Sequence, residues 1–393
     1  MLRAVRVCAS LVGILLAISL AAPAVAASDP WNPIWRRTFD PNGNTLVGPP
    51  VRAIASDAAG NVFATGTIGM NDGWSAMILV KYAADGELLW QRTWRAMSGF
   101  HRHTIGFAVA VSPGGRTVYV GGAQLNDSTE EAISRVWSYT SVGDWRWSRV
   151  AWPSSTVVRA VLARPSGVVA AGSTHGELGP LNGLLAAFAA DGARRWRDDF
   201  DVRARSRLTD VVHGLALDSA GRIYAVGSQD TERDIGPPGA VPRDAVIQQR
   251  SATGEVLWTR VLRDPGVRDW DDALAVDASG VRIFVAGQRD AWRERPGRAW
   301  LMRLSPSGAI RWQRVWGPPP PVGATAVGVS IAPGGGLYVV GRAGTAMVLR
   351  RLSLAGDLVS ERRRDHTVPT GVTNGEGGGL YASGDASVWR MPA

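Results

Sequence analysis

Seven copies of one short pattern run the length of the 393-residue chain. The clearest copy spans Val51–Trp94. It has an apolar run, a turn at Asp57-Ala-Ala-Gly60, a second run over Asn61–Thr67, a third over Met77–Tyr82, a turn at Asp85-Gly86, and a last run over Leu88–Trp94. A unit of this size cannot bury its apolar face alone, so neighbouring copies must stack. The repeat also sorts residues. Those present in every copy belong to the scaffold, and those in one or two copies are the candidates for a task.

Two markers set the register. A glycine closes one apolar run in each copy: Gly66, Gly122, Gly172, Gly227, Gly287, Gly341 and Gly384. A second glycine is followed four residues later by tryptophan, as in Gly86/Trp90, Gly143/Trp147, Gly192/Trp196, Gly254/Trp258 and Gly308/Trp312. The sixth copy has Gly356 but carries Ser360 in the tryptophan position. Each copy reads as four short strands joined by hairpin turns with Asp, Ser and a late Gly, since glycine accepts positive φ without strain.

The seventh copy stops early: Gly378–Tyr381 and Ser387–Met391 supply its second and third strands, so three C-terminal strands are expected and the outer one is missing. Its missing outer strand appears at the other end, where Trp35-Arg-Arg-Thr-Phe39 matches Trp90-Gln-Arg-Thr-Trp94 and Trp312-Gln-Arg-Val-Trp316. An N-terminal strand that completes the last unit closes a ring and leaves only short, protected edges. The expected fold is therefore an all-β, seven-bladed β-propeller of four-stranded antiparallel blades. A linear solenoid would need polar capping repeats, and the sequence offers none.

Residues 1–26 read as a secretory signal: Arg3 and Arg6, an apolar core over Leu11–Leu20, and Ala24-Val25-Ala26 for cleavage. Residues 27–393 then form a single propeller domain, exported to the periplasm or beyond and expected to be a monomer. Cys8, the only cysteine, lies inside the signal, which excludes disulfides and thiol chemistry from the mature chain. No other segment is apolar enough to span a membrane. The net charge is +9, and Lys81 is the only lysine. One arginine recurs with the repeat: two residues after the outer-strand Trp (or its substitute) stand Arg37, Arg92, Arg149, Arg260, Arg314 and Arg362, with Asp198 the exception. Residues two apart on a strand share a face. These guanidiniums are therefore expected to lie along the indoles, and nucleic acid is not an expected partner.

The stretch Val51-Arg-Ala-Ile-Ala-Ser-Asp-Ala-Ala-Gly-Asn-Val-Phe-Ala-Thr-Gly66, with Leu79-Val-Lys-Tyr82 and Gly86–Trp94, resembles the bacterial SBBP propeller repeat. The resemblance covers about residues 31–393 and implies an extracytoplasmic propeller with no shared catalytic motif. Ser251-Ala-Thr-Gly-Glu-Val-Leu-Trp258 is similar to the pyrroloquinoline-quinone-type repeat. The quinone dehydrogenases of that group place adjacent cysteines against their cofactor, and the mature chain has none.

The turns within the hairpins are short and uniform on one face. The other connections are long and irregular: Ile68–Ser75, Ala123–Glu131, Ser173–Asn182, Ser228–Arg243 and Gln288–Arg298, with links such as Arg95–Ile105 and Arg263–Asp271. Binding residues concentrate on variable loops held by a rigid scaffold, so the long-loop face around the channel mouth is the expected working face. His101 and His103 fall there, His213 interrupts an inner strand beside it, and Trp270, Asp271 and Asp272 form an acidic-aromatic patch beside the basic stretch Arg289–Arg298, which carries Trp292. Trp300 is expected in the core. No nucleophile triad, zinc helix or phosphate loop is present, so no catalytic residue is assigned. The leading expectation is a non-enzymatic scaffold without a cofactor that binds a protein or glycan. A metal-assisted hydrolase or lyase using a divalent ion held by the His and Asp residues is the alternative. A quinone-dependent oxidoreductase ranks third.

Overall fold

A computed structural model describes residues 28–29, 31–39, 51–70, 72–96, 103–126, 131–152, 155–174, 183–200, 210–230, 242–262, 270–291, 297–318, 322–374 and 379–392. The expected signal segment, His101, Trp292 and most of the long connections lie outside the described residues. All regular structure among the described residues is β-strand. Among them no helix is long and apolar enough to cross a membrane.

The chain is an all-β propeller of four-stranded antiparallel blades. Seven separate sheets were expected, and the strands instead hydrogen-bond as five. The reason is local. Two sheets have eight strands because one parallel bridge joins neighbouring repeat copies in each: Ser75 to His103, and Arg243 to Trp270. The sheet Thr156–Arg164, Gly167–Thr174, Gly183–Ala189 and Arg194–Asp199 stands alone with four strands. The sheet from Ala324 to Arg364 gains a fifth, parallel strand from Ser28–Asp29, which the sequence pattern did not announce. In the last sheet Trp35–Thr38 pairs antiparallel with Ser387–Met391, as the sequence match required.

The inner strands stand side by side in chain order. Val51–Ser56 touches His103–Val111, which touches Thr156–Arg164, then Asp210–Leu217, Trp270–Ser279, Ala324–Ile331 and Pro369–Asn374, which touches Val51–Ser56. The core lies between sheets. Phe63, Met77 and Leu79 of the first copy pack on Val118, Val120 and Trp137 of the second. Tyr381 and Val388 of the last pack with Val62, Ala64 and Ile78 of the first.

The Gly–Trp marker is the clamp between copies. Trp90 Nε1 donates to the Ser141 carbonyl (3.1 Å), Trp147 to Ala190 (2.8 Å), Trp258 to Pro306 (3.0 Å) and Trp312 to Leu354 (3.2 Å). Each acceptor lies in the outer turn of the following copy, and the glycine of that turn lies against the indole. At Gly143, with φ +94°, a Cβ would come within 3.0 Å of the Trp90 ring. The periodic arginine completes the clamp: Arg92 Nε donates to Gly143 O (2.8 Å) while its guanidinium lies 5.6 Å from the Trp90 ring centre. Trp35 and Arg37 grip Ala84 O and Gly86 O of the first copy in the same way.

Both exceptions to the pattern have structural causes. Beside Ser360 there is no hairpin turn to grip, because the outer strand of the last sheet, Trp35–Thr38, does not follow Ser387–Met391 in chain order. Arg362 donates to Pro392 O there instead (2.6 Å). Asp198 accepts from Arg250, a buried residue of the next copy, and Arg250 itself donates to Gly254 O (2.9 Å). The guanidinium at that junction comes from the opposite side.

Candidate functional site

Each inner strand has an irregularity at the same place. Its register to the second strand skips one residue: Arg52, Phe107, Arg159, His213, Leu274, Val327 or Thr370. A β-bulge of this kind leaves one residue unpaired and re-aims its side chain. All seven side chains line a single cavity of about 270 Å³.

The closing glycine of each copy makes the bulge possible. In the second to seventh copies the bulge swings the carbonyl two residues before the skipped residue over that glycine. A Cβ at Gly227 would lie 1.8 Å from Val211 O, one at Gly172 would lie 1.8 Å from Val157 O, and one at Gly287 would lie 1.9 Å from Asp272 O. These are distances no side chain tolerates. The marker glycine is thus part of the device that points a residue into the channel.

The channel is electrostatically uneven. Arg52 sits with its guanidinium 5.0 Å from the Phe107 ring centre, and its Nε is buried without a hydrogen-bond partner among the described residues. Burial, then the neighbouring charge of Arg159, holds its pKa below the ordinary arginine value. Arg159 reaches water in the channel yet is crowded by protein, and that crowding lowers it as well. Its Nε donates to Ser173 Oγ at 3.4 Å, a weak contact. His213 Nε2 lies 3.5 Å from Ser228 Oγ. Burial pushes His213 down to about 4, against the pull of Asp272 and with a further push from Arg159 and Arg243. At neutral pH the ring therefore carries no charge.

The other expected residues are spread around the structure. Asp272 is buried, accepts from Gln288 Nε2 through Oδ2 (2.8 Å), and has no partner for Oδ1 among the described residues. Asp271 is buried and accepts from the Asp290 backbone N–H (3.1 Å); it lines a separate cavity of about 290 Å³ with Arg260, Arg289 and Trp300. His103 starts its strand with Nδ1 3.0 Å from Ser75 Oγ. The backbone of Trp270 opens the strand that also carries Asp272. Trp300 is core, with Nε1 donating to Gln288 O (2.8 Å). Among the described residues no three His, Cys, Asp or Glu form a group that could hold a metal ion.

Of the expected residues only His213 lies in the ring of skipped positions, and the other six positions went unread. A signal was available. The residue after each skipped position is small in every copy: Ala53, Ala108, Ala160, Gly214, Ala275, Gly328 and Gly371. Gly214 explains this: a Cβ there would lie 3.1 Å from Val226 Cγ2 and 3.3 Å from Leu274 O of the next inner strand. A variable column followed by an unvarying small one marks the channel lining.

No protein-family model matches the chain, and no curated protein matches it. Solved structures do resemble it. Plexin A of Drosophila, solved in complex with Semaphorin 1b, aligns with TM-score 0.54 at 9% identity, over 92% of this chain and 88% of that one. The β-propeller domain of the trilobed protease from Pyrococcus furiosus aligns with TM-score 0.48 at 11% identity, over 88% and 99%. The extracellular domain of a putative hybrid two-component system from B. thetaiotaomicron aligns with TM-score 0.49 at 10% identity, over 91% of this chain and 40% of that one. At these identities the likeness is one of fold.

Proposed function

We propose that the chain is an exported, closed propeller of seven units that works as a binding module through its central channel and the long-connection face around the mouth. The observation that carries this reading is the lining of the channel. One backbone device, a bulge opposite a glycine, is built seven times, and it presents Arg, Phe, Arg, His, Leu, Val and Thr. A constant scaffold with a varied inward set is how proteins build binding sites.

Seven units with a closed ring are supported by the order of the inner strands, by the single-bridge joints inside the two large sheets, and by the Trp35 clamp on the first copy. Export is supported by the leader-like residues 1–26. The SBBP-like repeat supports an extracytoplasmic propeller without a shared catalytic motif. A protein or glycan is the proposed partner. Trp270, Trp292, Asp271, Asp272, His101 and His103 are proposed at the rim and His213 inside it.

The test uses residues 27–393, a glycan panel and the extracytoplasmic fraction of the source cell. Trp270→Ala with Trp292→Ala should abolish capture of whatever wild type binds, while Trp145→Ala, exposed on the short-turn face, should leave it intact. Loss with Trp145→Ala and retention with the rim pair would overturn the reading.

A further inference from the structure

The channel lining is chemically lopsided. Read in chain order it runs Arg52, Phe107, Arg159, His213, Leu274, Val327, Thr370. Two guanidiniums flank an aromatic ring on one arc, and two aliphatic side chains follow on the other. We infer that this throat binds a small organic carboxylate, its anionic group between Arg52 and Arg159 and its hydrocarbon body against Phe107, Leu274 and Val327.

Three observations carry the inference. First, the two arginines are close enough for the charge of Arg159 to act on Arg52, and among the described residues neither has a carboxylate partner. A like charge that acts on Arg52 without a counter-charge is unfavourable, and an anion held between the two guanidiniums relieves it. Second, Arg52 Nε is a buried donor without a hydrogen-bond partner among the described residues, and such a donor costs stability until an acceptor arrives. Third, the carboxylate of Asp272 acts on His213 at the Leu274 side of the ring and is engaged by Gln288. It repels an anion from that side and leaves the Arg52–Arg159 arc as the place where negative charge is welcome.

The chemical class follows from the walls. A cavity of about 270 Å³ sits below the usual range for drug-sized ligands, so the guest is small. Inorganic phosphate would turn oxygens towards Leu274 and Val327, which offer no donor. A carboxylate on a short hydrocarbon body satisfies both arcs. His213, neutral at physiological pH, adds a ring N–H. The inference rests on the channel being the working site and makes no use of the long-connection face.

Calorimetric titration of residues 27–393 with hexanoate and phenylacetate, against hexanamide, acetate and inorganic phosphate, tests it. Hexanoate is expected to bind about tenfold or more tightly than hexanamide, and more tightly than phosphate. Arg52→Gln and Arg159→Gln should each weaken hexanoate about tenfold, and Phe107→Ala should weaken hexanoate more than acetate. A second readout guards against a variant that folds poorly: in wild type, the His213 imidazole resonance should move on adding hexanoate and stay fixed on adding hexanamide. Equal binding of acid and amide, tighter binding of phosphate, or hexanoate binding indifferent to both arginines would overturn the inference. The outcome is separable from the partner test, which alters only Trp270 and Trp292.

Discussion

Arg250 and Asp198 offer a sharp test of the clamp between copies. At this junction the arginine has moved from the outer strand to the neighbouring copy. Arg250 is 1% exposed and donates to Asp198, Gly254 O (2.9 Å), Asp199 O (3.1 Å) and Gln248 Oε1 (3.0 Å). The equivalent positions in the fifth and sixth copies are Leu304 and Leu352, both buried. Arg250→Leu therefore keeps a residue the scaffold accepts and removes four acceptors' donor. Asp198, with its side chain 52% exposed, rehydrates, but the two backbone carbonyls lose their partner. The expected cost is about 2–4 kcal/mol. Asp198→Arg alone places a second guanidinium against Arg250 and should cost a similar amount. The double variant restores the common pattern, in which the outer-strand arginine reaches the turn glycine as Arg92 reaches Gly143 at 2.8 Å. It should recover about half of the summed loss, giving a coupling of about 2–4 kcal/mol in a double-mutant cycle. Urea unfolding followed by fluorescence and circular dichroism reads this, provided the two probes coincide. A double variant no more stable than the sum of the singles would refute the idea that the exchange preserves one clamp.

Three further expectations follow from the same geometry. Gly227→Ala sets a Cβ 1.8 Å from Val211 O, so the bulge cannot persist; a loss of about 3 kcal/mol in urea unfolding is expected, and wild-type stability would contradict it. Trp312→Phe strips Leu354 O of its donor and should cost about 1–2 kcal/mol, whereas Trp258→Phe should cost less because Gln249 Nε2 still donates to Pro306 O (3.1 Å); equal losses in thermal unfolding would count against this reading. His213 has a folded pKa of about 4 against an ordinary 6.5, so the unfolded chain takes up a proton first as pH falls. Its contribution is intact above pH 6.5 and is lost as pH drops through 4, by about 1–2 kcal/mol after allowing for channel water. Asp277, pushed up to about 6 by burial, gives the opposite slope. The His213 effect is therefore read as the difference between wild type and His213→Gln at pH 7, 5.5 and 4, and a difference constant with pH would refute it.

Much of the scaffold was legible because the repeat compares the chain with itself. The Gly–Trp spacing, the periodic arginine and the match of Trp35–Phe39 to later outer strands all became contacts in space. The joining of copies into eight-stranded sheets was not legible. It depends on one backbone bridge at the start of a strand, which no side-chain pattern encodes. The channel was half legible. His213 stood out because a polar residue broke an apolar run, while Leu274 and Val327 blended into theirs. Reading the bulge required seeing that Gly227 and its counterparts leave room for a carbonyl, which is a property of backbone geometry rather than of composition.

The most direct test of the account is a crystal structure of residues 27–393 soaked in bromide, read by anomalous scattering. A bromide is expected between Arg52 and Arg159, with the seven skipped residues around the channel and Trp35–Thr38 paired to Ser387–Met391. A channel without bromide, with those two arginines neutralised by carboxylates of the chain itself, would contradict it.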